Sequence, residues 1–327
     1  MYPVEELDEV VDATLPLWER LRGGRLLITG ATGFFGSWLV QTFARANARL
    51  SLDARVVAVA RRPGTLRGLD PAVEPFEADV RGPRLPEGPF SHVIHAATAA
   101  SAQLNDQQPL EMASVIVDGT RRILEIANGA RFLFVSSGAV YGPQTVPQVA
   151  EDHQGGPDPL NPRNAYAEAK RLAELWSVST MPTVVARAFA FVGPGLPLDV
   201  HFAIGNFIAD GLAKRPIIVK GDGSTVRSYL YASDLAIWLW TLLFDGRPGR
   251  AYNVGSEEAV SIRELAHAVG AHFAVPVEIR GTPVPGKPVD RYVPSTRRAR
   301  EELGLAQRVP LREAIRRTAR WHEVNRR

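Results

Sequence analysis

A short apolar run, Arg25–Thr29, leads straight into three glycines spaced three apart, Gly30, Gly33 and Gly36. A stretch with helical spacing, Phe34–Ala46, follows at once. That junction constrains the chain more than any other feature. A strand that must turn sharply and pack closely on the next helix needs residues without a Cβ. Gly30 serves the turn, Gly33 lets backbone approach a ligand, and Gly36 allows close helix–strand contact. The N–H groups that open the helix then form a site for phosphate. The pattern predicts a dinucleotide cradle lined by Gly30, Thr32, Gly33, Phe34, Phe35 and Gly36.

The rhythm continues downstream. Arg55–Ala60, Val73–Ala78, His92–His95, Arg131–Val135 and Thr183–Ala186 read as short buried strands. Pro109–Asn128 and Pro162–Val178 read as long helices. Buried strands alternating with helices predict an α/β fold: a Rossmann doubly wound parallel sheet, covered on both faces. Ahead of it, Leu7, Val10, Val11, Thr14, Leu17, Trp18 and Leu21 recur at helical spacing, so 5–22 is expected to be one amphipathic helix. After Pro194–Pro197 come shorter elements and proline-rich loops such as Gly281–Pro288. The expected organisation is an N-terminal helix over 1–22, a dinucleotide-binding domain over 23–195, and a smaller, mainly substrate-binding lobe over 196–327.

Composition closes off several classes. With 45% hydrophobic and 22% charged residues the chain can bury a large core and is not disordered. A net charge of +3, with scattered basic residues, suits a small anionic ligand and argues against a nucleic-acid partner. Cysteine is absent, which removes disulfides and thiolate metal sites, and no metal is expected. The N-terminus is unlike a signal peptide, and the apolar stretch Ile237–Phe244 is far short of the ~20 residues of a membrane span. A cytoplasmic protein without a membrane partner is expected.

The chemistry rests on a tyrosine and a lysine. Tyr166 and Lys170 stand at i and i+4 on one helical face. A free tyrosine titrates near ~10 and is a poor base. A neighbouring lysine and a positive nicotinamide would stabilise its phenolate. Tyr166 could then take a proton from a hydroxyl while hydride leaves the same carbon. Ser137 ends the fifth strand, beside the ligand crevice of a parallel sheet, where its hydroxyl could donate to the reacting oxygen. At the end of the second strand, where NAD-specific sites carry an acid, stand Ala60, Arg61 and Arg62. Arginines there can accept a 2′-phosphate, which favours NADP over NAD. Asp79 and Val80, after the third strand, are placed for the adenine edge.

The ordered set Thr29–Gly36, His95–Thr98, Ser136–Gly142, Tyr166 with Lys170, Val192–Pro194, Gly221–Asp234 and Tyr252–Gly255 resembles the extended short-chain dehydrogenases/reductases. More narrowly it resembles their nucleotide-sugar epimerase/dehydratase family, from about Arg25 onward. The resemblance implies a catalytic trio of Ser137, Tyr166 and Lys170, with Ala96, Ala97 and Thr98 lining NAD or NADP. It implies Arg187 at the junction of sheet and lobe, and Arg227 and Arg291 as clamps on a sugar-nucleotide diphosphate. Asn206 and Phe207 fall in a substrate-contacting stretch, and a homodimer through the two long helices is implied.

Departures narrow the reaction. Sugar 4,6-dehydratases place an acid–base carboxylate pair directly after the residue matching Ser137, and this chain has Gly138 and Ala139. The glutamate of UDP-glucuronate decarboxylases in the same stretch is missing too. Ile116 and Ala190 replace two frequent asparagines. A C4 epimerase and a 4-ketoreductase need only the trio, and the epimerase is preferred. A cofactor-binding regulator without turnover is the reading from a different class.

Overall fold

The computed structural model describes residues 1–98, 102–198, 202–284, 286 and 288–325. Pro285 and Lys287 of the proline-rich loop lie outside them. At the centre is a seven-stranded sheet built from β1 (Arg25–Thr29), β2 (Arg55–Ala60), β3 (Val73–Glu77), β4 (His92–His95), β5 (Arg131–Ser137), β6 (Thr183–Ala188) and β11 (Ala251–Val254). Its order is β11-β6-β5-β4-β1-β2-β3, and every neighbouring pair is parallel. The order reverses between β1 and β4, which opens the crevice at the carboxyl ends of the strands where α/β sheets bind ligands.

Alternate residues of each strand serve opposite faces. Leu26 and Ile28 enter a core with α1 (Val4–Ala13), α2 (Phe34–Leu50) and α7 (Ala232–Asp245). Leu27, Val57 and Val59 enter a second core with α4 (Pro109–Ile126) and α5 (Ala165–Thr180). Two covered faces explain why the strands read as unbroken apolar runs. A short α3 (Ala102–Gln107) precedes α4.

The N-terminal segment is not one helix. α1 stops at Thr14, and a 3-10 helix, Leu15–Leu21, follows. Pro16 lacks the N–H needed to carry the α pattern through. Thr14 fixes the break: its Oγ1 donates to the Val10 carbonyl and accepts Trp18 Nε1–H at 3.0 Å. Other ends move by a turn or less: α2 runs four residues past Ala46, α4 ends two short of Asn128, and β6 continues to Ala188. β3 stops at Glu77, one residue short of Ala78. Pro162–Asn164 is a separate 3-10 turn ahead of α5.

Beyond β6 the chain builds β7 (Phe191–Val192), α6 (Ala203–Leu212), β8 (Ile217–Val219), β9 (Val226–Arg227) and β10 (Leu230–Tyr231). After α7 and β11 come β12 (Val260–Ser261), α8 (Ile262–Phe273), β13 (Val277–Ile279), β14 (Arg291–Tyr292), α9 (Arg297–Leu303) and α10 (Leu311–Asn325). Ile204, Ile208, Leu265, Val269, Phe273 and Ile315 form the lobe core. The stretch after 196 is thus shared between two bodies, because α7 packs on the central sheet and β11 completes it.

Candidate active site

The glycine junction has the geometry its spacing predicts. Gly30 holds φ +70°, and a Cβ there would lie 2.8 Å from the Ala96 carbonyl oxygen. A Cβ on Gly36 would lie 2.6 Å from Ala31 Cα, so the helix could not approach β1. Around Gly33 only the Gly30 carbonyl is near, at 3.2 Å from such an atom. No side chain caps the start of α2, which leaves its opening N–H groups to a ligand. Behind the cradle, Thr29 Oγ1 bonds His95 Nδ1 at 2.7 Å and accepts the Ala97 N–H at 3.1 Å. His95 Nε2 meets Thr120 Oγ1 at 3.1 Å. Burial pushes His95 down to about 3, so it is a neutral peg fixing Ala96 and Ala97. Thr98 Oγ1 is buried without a hydrogen-bond partner. An uncapped helix start, an open Gly33 and an orphaned hydroxyl fit a dinucleotide.

At the end of β2, Ala60 is buried while Arg61 and Arg62 are exposed. Asp79 is less free than its position suggested. Its carboxylate receives the Arg81 backbone N–H at 2.9 Å and the guanidinium at 3.1 and 3.2 Å. Arg81 also pairs with Glu111 at 2.8 Å. Arg81, with a smaller contribution from the charge of Arg61, holds Asp79 below the usual carboxylate range. Val80 packs against α4 where Gly119 leaves room, since a Cβ there would lie 2.6 Å from Val80 Cγ2.

Ser137, Tyr166 and Lys170 converge at the end of β5. Ser137 Oγ accepts the Ala139 N–H at 3.2 Å. Tyr166 sits in the first turn of α5, where its backbone N–H donates to Asn105 Oδ1 at 3.1 Å. Asn105 in turn donates to the Arg163 carbonyl at 2.8 Å, so α3 pins the start of α5. Lys170 is buried, its Nζ donates to the Val135 carbonyl at 2.7 Å, and it lies 5.0 Å from the centre of the Phe134 ring. Burial pushes its ammonium down to about 7, with Glu174 acting in the opposite sense. Burial raises Tyr166, partly offset by Ser137. The lysine is therefore anchored to the backbone of β5, one helical turn beyond the tyrosine it is expected to assist.

A buried network braces this site. Glu174 accepts Ser136 Oγ–H at 2.5 Å and pairs with Arg187 at 2.7 Å. Arg187 donates to Tyr141 Oη at 3.0 Å, and Tyr141 donates to Asn253 Oδ1 at 2.7 Å. Strands β5, β6 and β11 are thereby tied together at the edge of the lobe. Glu151, the other acid of this network, accepts the Asn253 N–H at 2.9 Å. At Gly138 a Cβ would lie 2.7 Å from the Phe189 ring, so the residue after Ser137 has no room for a carboxylate.

The lobe supplies the opposite wall. Arg227 pairs with Asp290 at 2.7 Å, and its guanidinium lies 6.0 Å from the centre of the Tyr292 ring. Arg291 and Tyr292 lie on β14, in parallel register with Val226 and Arg227. Asn206 is exposed on α6. Phe207 is not a surface contact: it is buried in the lobe core beside Ile204 and Ile208, because helical spacing turns it inward. Tyr292 is the residue sequence reasoning missed. Its Oη is 3.3 Å from Ser137 Oγ, and its ring packs on Phe189 with centroids 4.7 Å apart. Burial, with the nearby Tyr166, raises its hydroxyl beyond the ordinary tyrosine range. The only sequence signal was an aromatic residue beside Arg291, and the register with Arg227 reveals its place. Among the described residues no His/Asp/Glu cluster could hold a metal, and no helix is long and apolar enough to cross a membrane.

Residues 26–255 match the model of the NAD dependent epimerase/dehydratase family. UDP-glucuronic acid decarboxylase 2 of Arabidopsis thaliana is 31% identical over 311 residues, covering 92% of this chain and 68% of that protein. UDP-glucuronic acid decarboxylase 1 of Danio rerio is 30% identical, covering 91% and 72%. A dTDP-glucose 4,6-dehydratase from Streptomyces venezuelae, solved with NAD, superposes with a TM-score of 0.79 at 23% identity, covering 92% and 98%. A UDP-glucose 4-epimerase from Thermotoga maritima gives 0.78 at 21% identity, covering 93% and 100%. The chain belongs to the NAD dependent epimerase/dehydratase family and is an NAD-dependent enzyme acting on nucleotide sugars.

Proposed function

We propose that this chain is a nucleotide-sugar C4 epimerase that oxidises the sugar to a 4-keto intermediate and reduces it on the other face. The observation that carries the reading is the site after Ser137. The trio is assembled, yet Phe189 closes over Gly138, and the nearby acids Glu174 and Glu151 are committed to Arg187, Ser136 and the Asn253 backbone. Chemistry at C4 has its groups there, whereas removal of water across C5 and C6 lacks its base. The glutamate that the family resemblance implies for decarboxylases in this stretch is likewise replaced here, by Gly138 and Ala139.

In this reading a bound nicotinamide supplies the hydride acceptor and donor. Tyr166 takes the C4 hydroxyl proton during oxidation and returns it during reduction. Ser137 donates a hydrogen bond to the C4 oxygen as charge develops on it. Lys170, partly charged near neutral pH, favours the tyrosinate through its field, and its hold on the Val135 carbonyl keeps it in place. Arg227 and Arg291 bind the diphosphate and Asn206 lies on its route, with Arg227 first released from Asp290. Exposed Arg61 and Arg62 beyond a buried Ala60 favour NADP, and an exchangeable NADPH would make the enzyme a 4-ketoreductase. Two chains pairing through α4 and α5 form the assembly. Leu172, Leu175 and Val178 are exposed on α5, a row of apolar side chains a dimer would cover. Sedimentation at micromolar concentration is expected at about twice 35.7 kDa.

The deciding assay offers UDP-glucose, UDP-galactose, dTDP-glucose and UDP-glucuronic acid, first without added cofactor and then with 4-deuterated NADPH. Interconversion of C4 epimers without label supports the epimerase. Deuterium at C4 with stoichiometric NADPH loss assigns the reductase. Carbon dioxide released from UDP-glucuronic acid, or a 4-keto-6-deoxy product, overturns the argument from Gly138.

A further inference from the structure

Residues 1–25 precede the part that matches the family, and the proposed chemistry makes no use of them. They are nevertheless bound to the machinery at several points. The Tyr2 ring stacks on Trp38 of α2 with centroids 4.5 Å apart and 19° between planes. Its backbone N–H donates to Gln41 Oε1 at 2.9 Å. Its hydroxyl lies 2.7 Å from Ser37 Oγ, and Ser37 itself donates to the Gly33 carbonyl at 2.7 Å. The hydroxyl of Tyr2 therefore touches the first turn of α2, the turn whose open N–H groups fit a dinucleotide phosphate.

The same residue meets the exit toward the lobe. Trp38 Nε1 donates to the Pro194 carbonyl at 2.9 Å. Gly195 holds φ +83°, and a Cβ there would collide with the Tyr2 ring and hydroxyl. Leu196, the next residue, is buried in the lobe core. Further along the segment, buried Glu6 accepts the Tyr231 hydroxyl at 2.7 Å at the end of β10. Asp8 pairs with Arg45 and Arg49 of α2, both at 2.7 Å, and Glu9 pairs with Arg317 of α10 at 2.9 Å.

We infer that the N-terminal segment is a strap that joins the dinucleotide turn to the lobe, with Tyr2 as its positioning residue. The Tyr2–Ser37 bond holds the Gly33–Ser37 turn, while the Tyr2–Trp38 stack holds Pro194–Leu196. Cofactor grip and lobe position are set by one side chain 28 residues ahead of Gly30. The inference rests on dinucleotide binding at Gly30–Gly36 and not on the identity of the sugar or the direction of the reaction.

Two conservative variants test it: Tyr2→Phe, which keeps the stack and loses the hydroxyl, and Ser37→Ala, which removes the partner. NAD+ and NADP+ dissociation constants are measured for each, for the double variant, and with and without saturating UDP. Losing one such hydrogen bond is expected to weaken the better-bound dinucleotide by roughly 2- to 10-fold. The double variant should be no worse than Ser37→Ala, because that variant already removes the Tyr2–Ser37 bond together with the Ser37–Gly33 one. Tyr2→Leu should also reduce the effect of UDP on dinucleotide affinity, a coupling that stability alone would not move. Its melting temperature is read alongside, and Tyr2→Phe carries the test if Tyr2→Leu does not fold. Unchanged dinucleotide affinity in Tyr2→Phe and Ser37→Ala, or fully additive losses, would overturn the inference.

Discussion

Replacing Lys170 with methionine should make the protein more stable while removing its activity. The side chain is buried, and its folded pKa falls from 10.5 to about 7. The sign follows from proton counting. Between about pH 7 and 10.5 the unfolded chain binds a proton that the folded chain does not, so wild-type stability rises with pH in that window. At pH 7 the penalty is about 4 kcal/mol, at 1.36 kcal/mol per pKa unit. Methionine of similar length removes it. It also abandons the Val135 carbonyl, and an unsatisfied buried acceptor costs roughly 1–3 kcal/mol. The net gain near pH 7 is about 2 kcal/mol, or roughly 3 °C in melting temperature for a chain of this size. At pH 9 the penalty has fallen to about 2 kcal/mol and the advantage should nearly vanish. Thermal melts of both proteins from pH 6.5 to 9 read this directly. A variant less stable than wild type at pH 7, or a difference that does not change with pH, would refute the reasoning.

Tyr166→Phe should keep the fold and dinucleotide affinity but lower turnover by ~10²–10⁴-fold, checked with the cognate sugar nucleotide and a binding titration. Gly138→Ala should cost roughly 1–3 kcal/mol, since its methyl group meets the Phe189 ring, and urea unfolding measures it. Ala60→Asp should shift preference from NADP toward NAD, and an unchanged ratio of dissociation constants makes Arg61 and Arg62 bystanders.

The parts of this molecule that were legible in its sequence are the local ones. Gly30 and Gly36 announce close backbone approaches because no other residue tolerates them, and unbroken apolar runs announce strands covered on both sides. Tyr166 and Lys170 were found because four residues is one helical turn. What sequence spacing could not give is contact between distant segments. Tyr292 reaches Ser137 across 155 positions through the pairing of β14 with β9. Phe189 closes over Gly138 from the residue that follows β6, 51 positions away. The helix expected over 5–22 failed at Pro16, where apolar periodicity survives a change of helix type and so conceals it. Spacing sets Lys170 one turn after Tyr166, but its hydrogen-bond partner, the Val135 carbonyl, belongs to a strand that periodicity alone cannot orient.

The return of β11 to the sheet has a consequence for how such a molecule can be taken apart. The chain leaves the central sheet at β6, builds the first part of the lobe, comes back through α7 to lay β11 along β6, and then returns to the lobe with α8 and α10. Sheet body and lobe are therefore not interchangeable cassettes, although a linear map suggests a cut near residue 196. A fragment ending there would present the whole length of β6, Thr183–Ala188, as an unpaired edge stripped of α7, a surface prone to sticking to its own copies. Grafting a new specificity onto this scaffold has to proceed through surface segments of the lobe, such as the loop that leads into β14, with the double crossing of the chain left intact.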